Sequence, residues 1–280
     1  MKEYHILSLG AGVQSTMLYL LACEQHPCIG KIDYAIFADT GDEPEAVYDH
    51  LKWLQALDGP EILVRSKGNL GDDLMYGCES RVGKDNRLFS AIPAFTAGGG
   101  LGQRQCTYDY KIAVVEQTIR REIVGVKPRK HFPKKDVHVH QYIGISLDEC
   151  SRIVRIRKRF AEIPWATVHF PLYETKTTRK GCSQWLKSRV PHKVPRSSCV
   201  ECPFHSNEEW QRIKSSPRDW ERACQIDEAL RDQAYLCGRG MDELQFLHRS
   251  LVPLREADLS TPPQTGEFGF VHECEGMCGV

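Results

Sequence analysis

The first 65 residues alternate in a way that leaves few folds open. Residues 4–9, YHILSL, are a short apolar run rich in β-formers and read as a buried strand. A turn at Gly10-Ala11-Gly12 follows, then a helix over 14–25 with Met17, Leu18, Leu20 and Leu21 on its apolar side. Residues 33–38, DYAIFA, are a second strand, broken by Asp39-Thr40-Gly41-Asp42. Pro44 suits the first turn of a helix that continues through Val47, Leu51, Leu54 and Leu57, and residues 61–65 are a third strand. Strand and helix alternating at such short intervals predict a parallel sheet covered on both faces, the α/β doubly wound class.

Beyond residue 65 the pattern loosens. Residues 77–105, which include Gly98-Gly99-Gly100-Leu101-Gly102, lack periodicity and predict a mobile loop near a site. Helices are expected over 109–123, 147–159, 178–188, 206–214 and 217–232, with one more strand over 139–146. The tail from 260 is rich in Pro and Gly. The expected organisation is an α/β domain over 1–170 and a C-terminal helical, cysteine-bearing portion over 171–280.

Charge is unevenly placed along a chain of zero formal net charge. Residues 151–200 carry 12 basic and 2 acidic residues, so +10, while residues 1–100 carry 8 and 14, so −6. Such a basic segment suits a substrate's phosphates, an acidic part of the same protein, or plain solvation. No run approaches the roughly 18–20 apolar residues of a membrane-spanning helix, and the N-terminus lacks the pattern of a signal peptide. The expected location is cytoplasmic, without a membrane partner. Twelve cysteines in such a chain point to metal or thiol chemistry rather than disulfides.

Two local patterns carry chemistry. In the strand–turn–helix Ser8-Leu9-Gly10-Ala11-Gly12-Val13-Gln14-Ser15-Thr16, small residues allow close backbone approach and the first helical N–H groups face an anion. It is neither a Walker A loop nor G-x-G-x-x-G. The other reading is a tight turn with glycine for steric reasons. Cys199-Val200-Glu201-Cys202-Pro203 is a C-x-x-C, which gives two ligands to one metal, a redox pair, or two buried thiols.

Taken in order, these segments resemble the PP-loop ATP pyrophosphatase and phosphoadenosine phosphosulfate (PAPS) reductase superfamily. Gly10–Ser15 is similar to its S-G-G-x-D-S pyrophosphate loop, and Asp39-Thr40-Gly41 to its D-T-G element. Gln105-Cys106-Thr107-Tyr108-Asp109-Tyr110-Lys111 resembles its C-C-x-x-x-K segment. Gly144–Arg152 resembles a strand-to-helix segment with an acidic pair, Asp148-Glu149, and an arginine. Cys199–Pro203 matches its downstream C-x-x-C. Gly10, Ala11, Gln14 and Gln105 depart from the family's Ser, Gly, Asp and first Cys.

The resemblance implies an adenine nucleotide alpha-hydrolase-like sheet with an adenine nucleotide across the strand ends. Its phosphates would sit on Ser8, Gly10, Ala11, Gly12, Val13, Gln14, Ser15 and Thr16, with Asp39 and Thr40 lining the crevice. Lys111, Arg104 and Arg152 would meet anionic groups, although Arg152 also suits a surface salt bridge. Cys106, Cys199 and Cys202 would hold a [4Fe-4S] cluster, or Zn²⁺ with a fourth ligand from Cys78, Cys182, His205 or the terminal cysteines. ATP with Mg²⁺ would be cleaved to AMP and pyrophosphate to adenylate an acceptor, leading to sulfur transfer from an unspecified donor, with tRNA or DNA on the basic segment. Two other activities fit the same residues. One is a sulfonucleotide reductase with Cys274, near Cys278, as nucleophile; the other is a zinc-containing nucleic-acid-binding module.

Overall fold

The computed structural model describes residues 1–76, 92–232 and 243–260. Cys78, Cys237, Cys274 and Cys278 lie outside them. The first unit follows the alternation closely: β1 (Lys2–Leu9), α1 (Val13–Cys23), β2 (Tyr34–Asp39), α2 (Glu45–Gln55) and β3 (Glu61–Ser66). A short α3 (Leu70–Met75) follows, capped by the Asn69 side chain, which accepts from the Asp72 N–H. Phe95–Thr96 forms β4, and α4 (Ala113–Thr118) is flanked by π-helical turns at Thr107–Ile112 and Ile119–Ile123. Then come β5 (Val137–Ile143), α5 (Ser151–Ala161), β6 (Ala166–His169), α6 (Pro171–Glu174), α7 (Arg179–Leu186), α8 (Asn207–Lys214), α9 (Pro217–Ala229) and β7 (Gln245–Phe246).

Five strands make one parallel sheet in the order β3-β2-β1-β5-β6. The chain winds outward from β1 to β3, then returns to the other side of β1, so β1 and β5 flank the point where strand order reverses. Alternation along β1 explains the layers. Leu7 and Leu9 point into a core with α1, α2 and α7, whereas Ile6 points into a second core with α4 and α5. Both faces are therefore covered, as a parallel sheet requires. The chain is an α/β protein with a five-stranded parallel sheet flanked by helices.

A third core joins α8 and α9 to Leu70 and Leu74 of α3, to Ile92 and Ala94, and to Cys199. Within the portion expected from residue 171 onward, α7 packs on α1 in the first core, while α8 and α9 belong to this third one. Of the loop expected over 77–105, residues 77–91 lie outside the described residues, and Phe95–Thr96 is a short strand instead. Phe95–Thr96 pairs antiparallel with Gln245–Phe246, and the Thr96 N–H donates to the Gly100 carbonyl at 3.0 Å, closing a tight turn. The expected strand over 139–146 ends at Ile143, because Ser146 already begins the turn leading to α5. Among the described residues no helix is long and apolar enough to cross a membrane.

Candidate functional site

The loop after β1 sits at the carboxyl ends of the strands, at the reversal point where open α/β sheets bind ligands. Ala11 adopts a left-handed conformation (φ 55°), which turns the chain sharply between two glycines into α1. Gly12 caps α1 without a side-chain hydrogen bond, and no acidic residue occupies the first turn. Gly10, Ala11 and Gly12 are buried and Val13 is half-buried. The hydroxyls are engaged within the protein. Ser15 Oγ accepts from the Gly10 N–H at 3.2 Å, and Thr16 Oγ1 lies 2.8 Å from His50 Nε2. Ser8 belongs to β1 and accepts from Gln141 Nε2 at 2.9 Å, which ties it to the sheet beneath the loop.

Gln14 shows why its residue type matters here. Its Nε2 donates to Glu149 Oε2 at 2.6 Å, and Glu149 Oε1 accepts from Arg152 Nη1 at 2.6 Å. All three are buried, so one carboxylate is shared between an amide on α1 and a guanidinium on α5 across the reversal point. An aspartate at position 14 would bring a second carboxylate towards Glu149, with only the Ser146 hydroxyl, 3.4 Å from Glu149 Oε2, as a donor in place of the amide. Arg152 is not a surface salt bridge: its side chain is 2% exposed. The acidic pair also divides its work, because Asp148 leaves Glu149 to the network and accepts from the Arg179 N–H at 3.0 Å.

The turn after β2 leads to a second centre. Asp39 Oδ1 accepts from the Gly41 N–H at 2.8 Å and from the Tyr48 hydroxyl at 2.9 Å. Gly41 has φ +82°, and a Cβ there would come within 2.9 Å of the Asn69 Cα, so glycine is required. The turn thereby presents Thr40 and Glu43 inward. Glu43 Oε1 accepts from Thr40 Oγ1 at 3.1 Å and from Lys111 Nζ at 3.1 Å, and Cys199 Sγ lies 3.7 Å away. The Lys111–Glu43 pair is almost wholly buried.

Around it lies a cavity of about 20 Å³, lined by Cys106, Cys199, Cys202, Thr40, Lys111 and Glu201, with Arg104 also at its wall. Three cysteines from two distant stretches of sequence thus face one space. Glu201, absent from the sequence expectations, is fully buried, and neither of its carboxyl oxygens has a hydrogen-bond partner. Burial, reinforced by the nearby Asp42 and Glu43 carboxylates, pushes its pKa well above the ordinary carboxylate range. Glu43 Oε2 and His205 Nδ1 are likewise buried without partners. Buried polar atoms rarely lack partners; of these three residues Glu201 lines the cavity itself.

Thiols and buried carboxylates are donor types that a thiophilic metal takes, but as they stand no three of them are close enough to share one ion. The space is that of a single ion or water rather than a four-iron cube. The three sulfurs do not form a set lying wholly within 4.8 Å of one another. Seating a tetrahedral Zn²⁺ would draw them together, and a [4Fe-4S] cluster would need more room. Of the fourth ligands considered for zinc, Cys182 belongs to the first core beside α1, away from the third core that holds Cys199. His205 lies close by, its Nε2 against the Cys199 carbonyl at 2.8 Å. Burial, then the charge of Arg196, pushes its pKa down to about 3, so it is neutral.

A larger cleft of about 430 Å³ adjoins this centre, with Asp42, Glu43, Asp72, Asp219 and Glu221 in its walls. Its two arginines are already paired, Arg218 with Glu45 and Arg222 with Asp42. A lining of that sign suits a cation or amine better than a phosphate.

The sequence-predicted residues thus fall into two groups. Gln14 meets Arg152 through Glu149, and Cys106, Cys199, Cys202, Lys111 and Thr40 meet at the cavity. Glu43 and Glu201 were missed, although both lie within or beside motifs already singled out. Comparison with protein-family models, with curated proteins and with solved structures finds no match to this chain.

Proposed function

We propose that the protein is a PP-loop-type enzyme that binds ATP with Mg²⁺ at Gly10–Thr16, cleaves it to AMP and pyrophosphate, and adenylates an acceptor for sulfur transfer. The observation that carries this reading is the convergence of Cys106, Cys199 and Cys202 with Thr40 and Lys111 on one cavity beside the strand ends. The resemblance nominates these same residues from segments nearly a hundred positions apart. The sheet order adds support, since it sets the loop after β1 at the reversal point.

In this reading the work of the chain is positioning and charge neutralisation. The amino end of α1 contributes a partial positive charge of about half a unit towards the phosphates. Glu149 holds Gln14 and Arg152 in fixed relation on either side of the crevice, so the guanidinium does not reorganise when an anion arrives. Lys111, held by Glu43, puts a second cation between the crevice and the thiols. Cys106, Cys199 and Cys202, with Glu201 beside them, would hold the metal. That metal, as Zn²⁺, would supply a site able to bind an incoming sulfur; the cavity is too small for the [4Fe-4S] cluster that the resemblance implies. Arg155, Arg157 and Lys158, exposed on α5, offer the basic face for tRNA or DNA phosphates.

The test uses anaerobically purified protein, with metal content and ATP turnover measured together. The reading expects bound zinc that is lost in the Cys199→Ser/Cys202→Ser variant, and release of AMP and pyrophosphate from ATP. Sulfite release from a sulfonucleotide with a thiol donor, without ATP cleavage, would replace it by the reductase. Salt-sensitive nucleic-acid binding with zinc and no turnover would replace it by the binding module.

A further inference from the structure

Away from the crevice, on the face of the sheet that packs against α1 and α7, the strands gather four histidines. Strand alternation puts His138 and His140 on the same side of β5, and the register sets His5 of β1 directly beside His140. On β6, His169 pairs with Tyr142, one step further along the same face. The His5 and His140 rings stack with centroids 4.7 Å apart. Glu3, two residues before His5 and so on its side of β1, brings Oε2 to 3.9 Å from His140 Nε2.

Glu3, His5 and His140 each present a ligand atom within 4.8 Å of the other two, the only such triple among the described residues. The remaining ring nitrogens are held from behind. His140 Nδ1 lies 3.0 Å from His169 Nε2, and His5 Nδ1 lies 3.0 Å from the Tyr142 hydroxyl. Metal-bound histidines characteristically have this second contact, which fixes ring orientation and tautomer.

We propose that Glu3, His5 and His140 form a binding site for a first-row divalent transition cation, with His169 and Tyr142 orienting the two imidazoles. Two imidazoles and one carboxylate are a donor set that Zn²⁺ and its neighbours accept. Ligand atoms on a tetrahedral zinc stand about 3.3 Å apart, given bonds of about 2.0 Å. Closing from within 4.8 Å to that spacing requires the half-exposed Glu3 side chain to swing in and the stacked His5 and His140 rings, 11° from parallel, to turn towards one another. The open side leaves remaining coordination positions to water. None of the cysteines takes part, so this site stands or falls independently of the thiol-lined cavity.

The experiment is a calorimetric titration of the full chain with Zn²⁺ alone, comparing wild type with Glu3→Gln, His140→Gln and His169→Asn. Any binding by the cysteines is common to all four proteins. The expected result is one fewer equivalent, or at least a tenfold weaker site, in Glu3→Gln and in His140→Gln. His169→Asn should weaken the same site by about tenfold or more. Far-UV circular dichroism and melting curves check that each variant folds, and the exposed Glu3→Gln change gives a reading even if His140→Gln does not fold. Unchanged stoichiometry and affinity in Glu3→Gln and in whichever histidine variants fold would overturn the proposal.

Discussion

Replacing Gln14 by glutamate changes one atom and reverses the logic of the crevice network. Gln14 Nε2 lies 2.6 Å from Glu149 Oε2 in a buried setting, and Arg152 is already engaged on the other carboxylate oxygen. In the Gln14→Glu variant, two carboxylates at that distance cannot both ionise, so one of the pair holds a proton well above the ordinary range near pH 4.3. The folded state then binds that proton more tightly than the unfolded state. Stability is therefore retained below about pH 4.3 and lost as pH rises towards the raised value. Each unit of elevation costs about 1.4 kcal/mol, so a rise of about two units gives a loss of about 3 kcal/mol at pH 8. For a chain of this size that corresponds to a fall of about 6–12 °C in melting temperature. At pH 5 the protonated glutamate donates as the amide did, and most of the difference should vanish. Scanning calorimetry of both proteins at pH 5 and pH 8 measures this directly. Equal melting temperatures at pH 8, or a loss of the same size at both pH values, would refute the reasoning.

Lys111→Met should destabilise by about 3–5 kcal/mol, because it strands Glu43 in the interior. Urea unfolding should show a smaller loss in the double variant with Glu43→Gln than the two single losses summed. Ala11→Val places a β-branched residue at a buried left-handed position and should cost about 2 kcal/mol or more, whereas Ala11→Gly should stay within about 1 kcal/mol of wild type; thermal melts of the two variants check both. Burial, with the adjacent His192, lowers the His50 pKa to about 3. The unfolded state therefore takes up a proton that the folded state refuses, and stability falls as pH drops from about 6.5 towards 3. His50→Gln should flatten that acid slope by about 1.4 kcal/mol per pH unit in urea titrations, and an unchanged slope would argue against a neutral, buried His50.

The βαβαβ opening was legible because each element is long enough to show its period and is punctuated by glycine or proline. β6, at four residues, and α3, at six, are too short for that signal, and α3 rests on the Asn69 cap and on packing against α9. The strand Phe95–Thr96 went unseen for another reason: its partner, Gln245–Phe246, lies about 150 residues away. Gln14 was visible as a departure from the family pattern, yet its cause, the Glu149 carboxylate, depends on the pairing of β1 with β5. The three cysteines were grouped through the resemblance, since spacing alone offered only Cys199 and Cys202. Glu201 sits between those two, but a glutamate in a loop is ordinarily solvated. Only the tertiary packing reveals that its carboxyl is buried without a partner. The histidines on β1, β5 and β6 likewise become neighbours only through strand register.

The most direct test of the central claim is a calorimetric titration of anaerobically purified protein with ATP–Mg²⁺, adenylyl sulfate and its 3′-phosphorylated form, side by side. The account predicts saturable binding of ATP–Mg²⁺, tighter than either sulfonucleotide by about tenfold, or about 1.4 kcal/mol. Tighter binding of a sulfonucleotide, or no binding of any of the three, would contradict it.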